Sequence, residues 1–83
     1  MLDKLTDKEL RHDQIAANHH VQLGGVYRHK KSGAYYVPKL VALRETDLEP
    51  LVCYGRTDLP TVTFSRPLTE WLEKFEKIPP RGL

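Results

Sequence analysis

The stretch GGVYRHKKSGAYYVPKLVAL, Gly24 to Leu43, decides how the rest of the chain is read. It opens on a glycine pair that breaks the chain and passes through Val26-Tyr27-Arg28-His29 as a short strand. It turns over Lys30-Lys31-Ser32-Gly33, where Gly33 is free to take positive φ. Ala34 to Leu43 is the longest strand that the pattern predicts. Alternation puts Tyr35, Val37, Lys39, Val41 and Leu43 on one face and Tyr36, Pro38, Leu40 and Ala42 on the other. Both faces are therefore apolar, as in a strand that bends through a small barrel. Pro38 has no N–H to give a ladder, so the strand is expected at a sheet edge or bulged there.

Downstream, Arg44 to Pro50 reads as a polar loop and Leu51-Val52-Cys53-Tyr54 as a third strand. Gly55 to Pro60 is a second turn region, and Thr61-Val62-Thr63-Phe64-Ser65 alternates strictly, predicting Val62 and Phe64 inward. Pro67 suits the first position of a helix. Leu68, Trp71, Leu72 and Phe75 then form one apolar stripe at helical spacing, and Pro79-Pro80 ends it. A helix with such a stripe covers an open sheet face or docks on a partner.

Upstream, Thr6 and Glu9 can form a capping box, with Leu5 and Leu10 as a hydrophobic staple, so a helix is expected from Asp7 to Asn18. Its apolar residues make no continuous stripe, which predicts weak docking. The fold class that follows is mainly β (α+β). It is a small SH3-like barrel of about four to five strands, with an N-terminal helix and a C-terminal amphipathic helix. Residues 1–23 form the helical arm, residues 24–78 the barrel domain with its helix, and residues 79–83 a tail.

The whole chain has 83 residues, enough for one domain with a thin core. It has 40% hydrophobic and 29% charged residues, an ordinary soluble composition without an apolar run long enough to span a bilayer. The acidic N-terminus does not resemble an export signal, and the single cysteine, Cys53, excludes an internal disulfide. A cytoplasmic location and no membrane partner are the expectations.

Chemistry-bearing motifs are few. His12, His19, His20 and His29 lack metal-ligand spacing, and there is no nucleophile elbow, P-loop or dinucleotide fingerprint, so neither a metal nor a cofactor is expected. Glu45, Asp47 and Glu49 share one loop and read as solvated carboxylates before they read as a cation site or an acid/base pair. The net charge of +2 is unevenly spread: residues 24–66 carry +3, the first 23 carry −1, and the last 17 are neutral. An anionic partner is therefore sought in the middle segment. All four tyrosines lie there, interleaved with Arg28, Arg44, Arg56 and Arg66, a pairing able to stack a base while holding phosphates. Tyrosine is also an ordinary strand former, and basic residues protect sheet edges, so the same pattern has a purely structural reading.

Gly25-Val26-Tyr27-Arg28-His29, Gly33 with Tyr35 and Val37, Glu45-Thr46, Leu51 to Tyr54 and Arg66-Pro67-Leu68 together resemble the short bacterial and phage domain known as domain of unknown function 1653. The likeness spans about residues 24–75. Leu43-Arg44 stand where that family carries His-Ser, and the segment from Glu45 to Leu51 is one residue longer. The resemblance implies shared positions at Tyr27, Arg28, His29, Glu45, Thr46, Arg66 and Pro67 and implies no reaction.

The function these readings point to is a binding module that leans away from catalysis. Tyr27, Arg28, His29, Arg44, Glu45, Thr46, Tyr54 and Arg66 would hold a nucleotide or nucleic acid. Arg28, Arg44 and Arg66 would converge on phosphate, Tyr27 or Tyr54 would stack, and Glu45 would orient an arginine, whereas in the structural reading Arg66 bridges Glu45 to hold the barrel together. The alternatives are a protein-interaction module, using an edge at Pro38 or a free face of the C-terminal helix, and a small nucleotide-processing enzyme built on His29 and Glu45.

Overall fold

A computed structural model of the chain describes residues 6–79. Helix α1 (Asp7–Asn18) starts where the capping signal places it. The Thr6 hydroxyl oxygen accepts from the Glu9 N–H at 3.1 Å, and Glu9 answers through its carboxylate, which accepts from the Thr6 hydroxyl at 3.2 Å. Leu5, the other half of the expected staple, lies outside the described residues.

Five strands follow: β1 (Tyr27–His29), β2 (Tyr35–Leu43), β3 (Pro50–Arg56), β4 (Leu59–Pro67) and, after helix α2 (Leu68–Lys74), β5 (Phe75–Lys77). They make one antiparallel sheet in the order β4-β3-β2-β1-β5. The first four strands are a meander, and α2 carries the chain back so that β5 pairs with β1. Among the described residues no ladder joins β4 to β5, so the sheet is open and α2 spans between its two edges.

β2 departs from simple alternation at one residue. A bulge between Pro38 and Leu40 inserts Lys39, and the face exposed to the helices switches there. Tyr36 and Pro38 before the bulge share their face with Val41 and Leu43 after it, whereas uninterrupted alternation had grouped Val41 with Tyr35 and Val37. Pro38 is buried at this bulge, one of the two places expected for it, and its carbonyl accepts from the Gly24 N–H at 3.0 Å. Since β1 reaches only Tyr35 and Tyr36, the far half of β2 has no strand on that flank. α1 lies along it instead, and the Gln14 side-chain amide donates to the Val41 carbonyl.

The core lies on one face of the sheet. Val41, Val52 and Tyr54 from the central strands meet Tyr27, Leu68, Trp71 and Phe75, with Ala17 and Val21 closing one side. Trp71, 0% exposed, is its centre: its ring stacks on Phe75 at 4.0 Å and lies 4.9 Å from Tyr54 and 5.1 Å from Tyr27. The α2 stripe therefore covers the sheet, with two amendments. Phe75 belongs to β5 and not to the helix, and Leu72 turns outward at 47% exposure. Pro67 caps α2 from one position before its first residue.

β4 corrects a further expectation. The tip of its hairpin is confined to Thr57-Asp58, so Gly55, Arg56, Leu59 and Pro60 are strand residues. Val62 and Phe64 are 42% and 41% exposed, not inward. The β3–β4 register shifts between Tyr54 and Arg56, so that Pro60 to Thr63 stand opposite Gly55 alone, and among the described residues no element covers the half of the face where Phe64 lies against Tyr54.

Candidate functional site

The eight residues singled out from the sequence separate into four places. Tyr27, on β1, is buried against Trp71, and its phenol oxygen accepts from the Gln22 N–H at 3.1 Å. Arg28 projects from the opposite face of the same strand, where its guanidinium pairs with Glu76 directly across on β5, at 2.5 and 2.8 Å. Arg44, Glu45 and Thr46 occupy the exposed β2–β3 turn beside α1. There Arg44 grips Asp47 with two bonds of 2.6 and 2.9 Å. The Arg44 hydrogen bond, followed by one from the Glu49 N–H, holds the Asp47 carboxyl down at about 2.

His29, Tyr54 and Arg66 form the one group that the fold brings together, and Tyr36 and Phe75 complete it. Tyr54 is buried, and its phenol oxygen accepts from the Arg66 Nε–H at 3.0 Å. The Arg66 guanidinium lies 5.1 Å from the Phe75 ring centre and bonds Glu70 at 3.1 Å, one turn along α2 and not on Glu45. His29 sets its ring edge-on to Phe75 at 5.0 Å and to Tyr36 at 6.5 Å.

Two parts of the expected mechanism do not survive this geometry. Arg28, Arg44 and Arg66 do not converge, because they stand on the outer face, in the far turn and on the helix-covered face respectively. Each of them, and Arg56 as well, already holds a carboxylate. Tyr27 and Tyr54 cannot stack a base, since their rings are spent inside the core. His29 and Glu45 stand near opposite ends of β2, about 25 Å apart along a strand of nine residues at roughly 3.3 Å each. That distance removes them as an acid/base pair.

What the structure adds is a basic corner. The backbone N–H of Lys30, in the β1–β2 turn, donates to the Lys74 carbonyl at the end of α2 at 2.9 Å, which fastens the turn to the helix. His29, Lys30, Lys31 and Lys74, with Glu73 as the one acidic member, line a shallow hollow there. The His29 Nδ1 accepts from the Ser32 N–H at 3.1 Å, leaving Nε2 to carry the proton of the neutral ring. Partial burial, and then the positive charges of Arg66, Lys74 and Lys31, lower its pKa below the usual 6.5. Lys74 was invisible to sequence reasoning because it is 43 positions beyond Lys31 and on a helix face read only as solvated. The turn-to-helix bond that joins them is a backbone contact, without a residue-type signal.

Among the described residues, no three His, Cys, Asp or Glu side chains gather as a metal site. His12, His19 and His20 are exposed on and just after α1. No helix is long and apolar enough to cross a membrane. No family model, curated protein or solved structure matches the chain.

Proposed function

We propose that this chain is a non-enzymatic binding module whose basic corner, around His29, Lys30, Lys31 and Lys74, holds the phosphate of a nucleotide or of a nucleic acid. The observation that carries the reading is the meeting of these four side chains around one hollow while the four arginines spend their charge on carboxylates. Lysine ammonium groups contact phosphate as point charges, and the His29 Nε2–H adds a directed donor. A bound anion favours the charged form of His29, so affinity rises as pH falls from about 7.5 to about 6. With the tyrosines buried, binding reads phosphate and not base identity, and it weakens as salt rises.

The test is an NMR titration with inorganic phosphate, adenosine diphosphate and a short oligonucleotide. Shifts centred on His29, Lys31 and Lys74 that fade in high salt support the reading. Shifts elsewhere, or none, overturn it.

This proposal keeps the resemblance to domain of unknown function 1653 as a guide to positions. Of the shared ones, it gives a ligand to His29 and structural roles to Tyr27, Arg28, Arg66 and Pro67. It also takes the meander, the helical crossing and the return of β5 to β1 as an SH3-like barrel in which α2 stands between the unpaired edges. A free Cys53 fits the reducing cytoplasm of a bacterial or phage-infected cell.

The protein-interaction alternative loses both surfaces first considered for it. Pro38 is buried at an internal bulge, and α2 is docked through Trp71.

A further inference from the structure

An antiparallel sheet with one solvated face reads apolar-in and polar-out along each strand. The central strands of this sheet do not. Both helices and the whole buried core lie on one side, the side of Val41, Val52 and Arg66, which are paired in one row. The register then fixes the opposite face. Leu40, Cys53 and Ser65 form one row across β2, β3 and β4, and Ala42, Leu51 and Pro67 form the next. These six side chains carry no charge, Leu40 is 49% exposed, and no described element covers them.

The ends of this patch differ in sign. Lys39 stands before Leu40 at one end, where its ammonium group donates to the Pro60 carbonyl at 2.9 Å and the Thr63 hydroxyl at 2.7 Å, with one N–H to spare. Glu49 stands at the other end, beside an Arg44–Asp47 pair that is already neutral. A two-fold axis lying in the plane of contact, running across the strands between the two rows, turns the outer faces toward each other, lays apolar rows on apolar rows and sets the Lys39 end of each copy over the Glu49 end of the other.

We infer that the chain pairs with a second copy of itself through this outer face, in an isologous dimer. The self-matched charge at the two ends selects a second copy, because a partner of uniform sign would meet repulsion at one of them. Six central residues are fewer than the roughly 20–30 a side of a standard interface, so the dimer is a weak one, at the small end of specific contacts.

Sedimentation equilibrium of the full chain, carried up to millimolar concentration, tests this directly. The expected result is a concentration-dependent approach to twice the chain mass. Leu40→Lys and Leu51→Lys should each weaken association by at least tenfold, and Leu72→Lys, at an equally exposed leucine on α2, should not. Circular dichroism checks that each variant is folded. The Cys53 thiol offers an independent reading on the unaltered chain, since its rate of reaction with a disulfide reagent should fall as protein concentration rises. A monomer at every concentration, an association untouched by Leu40→Lys, or a thiol rate independent of concentration overturns the inference.

Discussion

His29 is held neutral by its surroundings, and that has a measurable sign. Its folded pKa lies below the 6.5 of the free side chain, so between those two values the unfolded chain binds more protons than the folded one. Stability therefore falls as pH drops through 6.5, and the loss is complete once pH is below the folded value. Urea midpoints taken from about pH 8 to about pH 5 should show this decline, and His29→Gln should flatten it. An unchanged slope in the variant would contradict the assignment. Leu48 is a second residue under tension. It takes φ +60 at the end of the β2–β3 turn, a conformation that costs a residue with a Cβ about 1–2 kcal/mol. Its side chain lines the hollow between that turn and α1, with Leu10 and Leu43, and its partial burial there offsets the strain by roughly 1 kcal/mol. Leu48→Ala loses the packing and keeps the strain. Leu48→Gly relieves the strain, and should be the more stable of the two variants by about 1 kcal/mol in the same urea measurement.

At the scale of elements, the β2 bulge and the register shift between β3 and β4 meet at Gly55. A Cβ at Gly55 would meet Lys39 Cε and the Val62 carbonyl oxygen, each at 3.0 Å. The bare glycine lets the Lys39 side chain cross β3 to bond Pro60 and Thr63. Gly55→Ala should therefore cost about 1–3 kcal/mol, because a backbone oxygen on one side and a tethered lysine on the other leave little room to relax. Its thermal midpoint, compared with that of Lys39→Met, checks the link: the two losses should fail to add in the double variant. That junction also marks the limit of what was legible in the sequence. α1, the first hairpin turn and the order of four strands were readable because each depends on local signals: a capping box, Gly33, and alternation. β5 was not, because Phe75 continues the helical stripe of Leu68 and Trp71, and only the long-range pairing of Phe75, Glu76 and Lys77 with His29, Arg28 and Tyr27 of β1 draws the segment into the sheet. The faces of β2 could not be assigned beyond Lys39, since one inserted residue inverts every later one. Of the candidate site, His29, Tyr54 and Arg66 were found by residue type, whereas their separation from Arg28, Arg44 and Glu45 is set by strand register over long range.

For the molecule as a whole, the core is one-sided and the charge is gathered at one corner, and the two facts make binding visible as stability. Tyr27, Tyr54 and Phe75 all pack on the fully buried Trp71, so loss of that side chain by Trp71→Ala should cost about 3–5 kcal/mol, a large part of the 5–15 kcal/mol that a domain possesses. β1 and α2, which both contribute to this core, also carry the basic corner, through His29 and Lys74. An anion held there binds only the folded chain, and at about ten times its dissociation constant it adds about 1.4 kcal/mol. In a domain of roughly this length that raises the thermal midpoint by about 5–10 °C. Tripolyphosphate is a suitable probe because it offers phosphate without a base. Its effect on the midpoint should be greater near pH 6 than near pH 7.5, because His29 takes up a proton as the anion arrives. It should shrink in 0.5 M salt, where charges are screened within a few ångströms. Lys31→Glu and Lys74→Glu should each abolish most of the shift, and Lys8→Glu, on α1, should leave it intact. Equal midpoint shifts in all three variants would place the anion elsewhere on the surface, and the corner would then be only the fastening between the first turn and the helix.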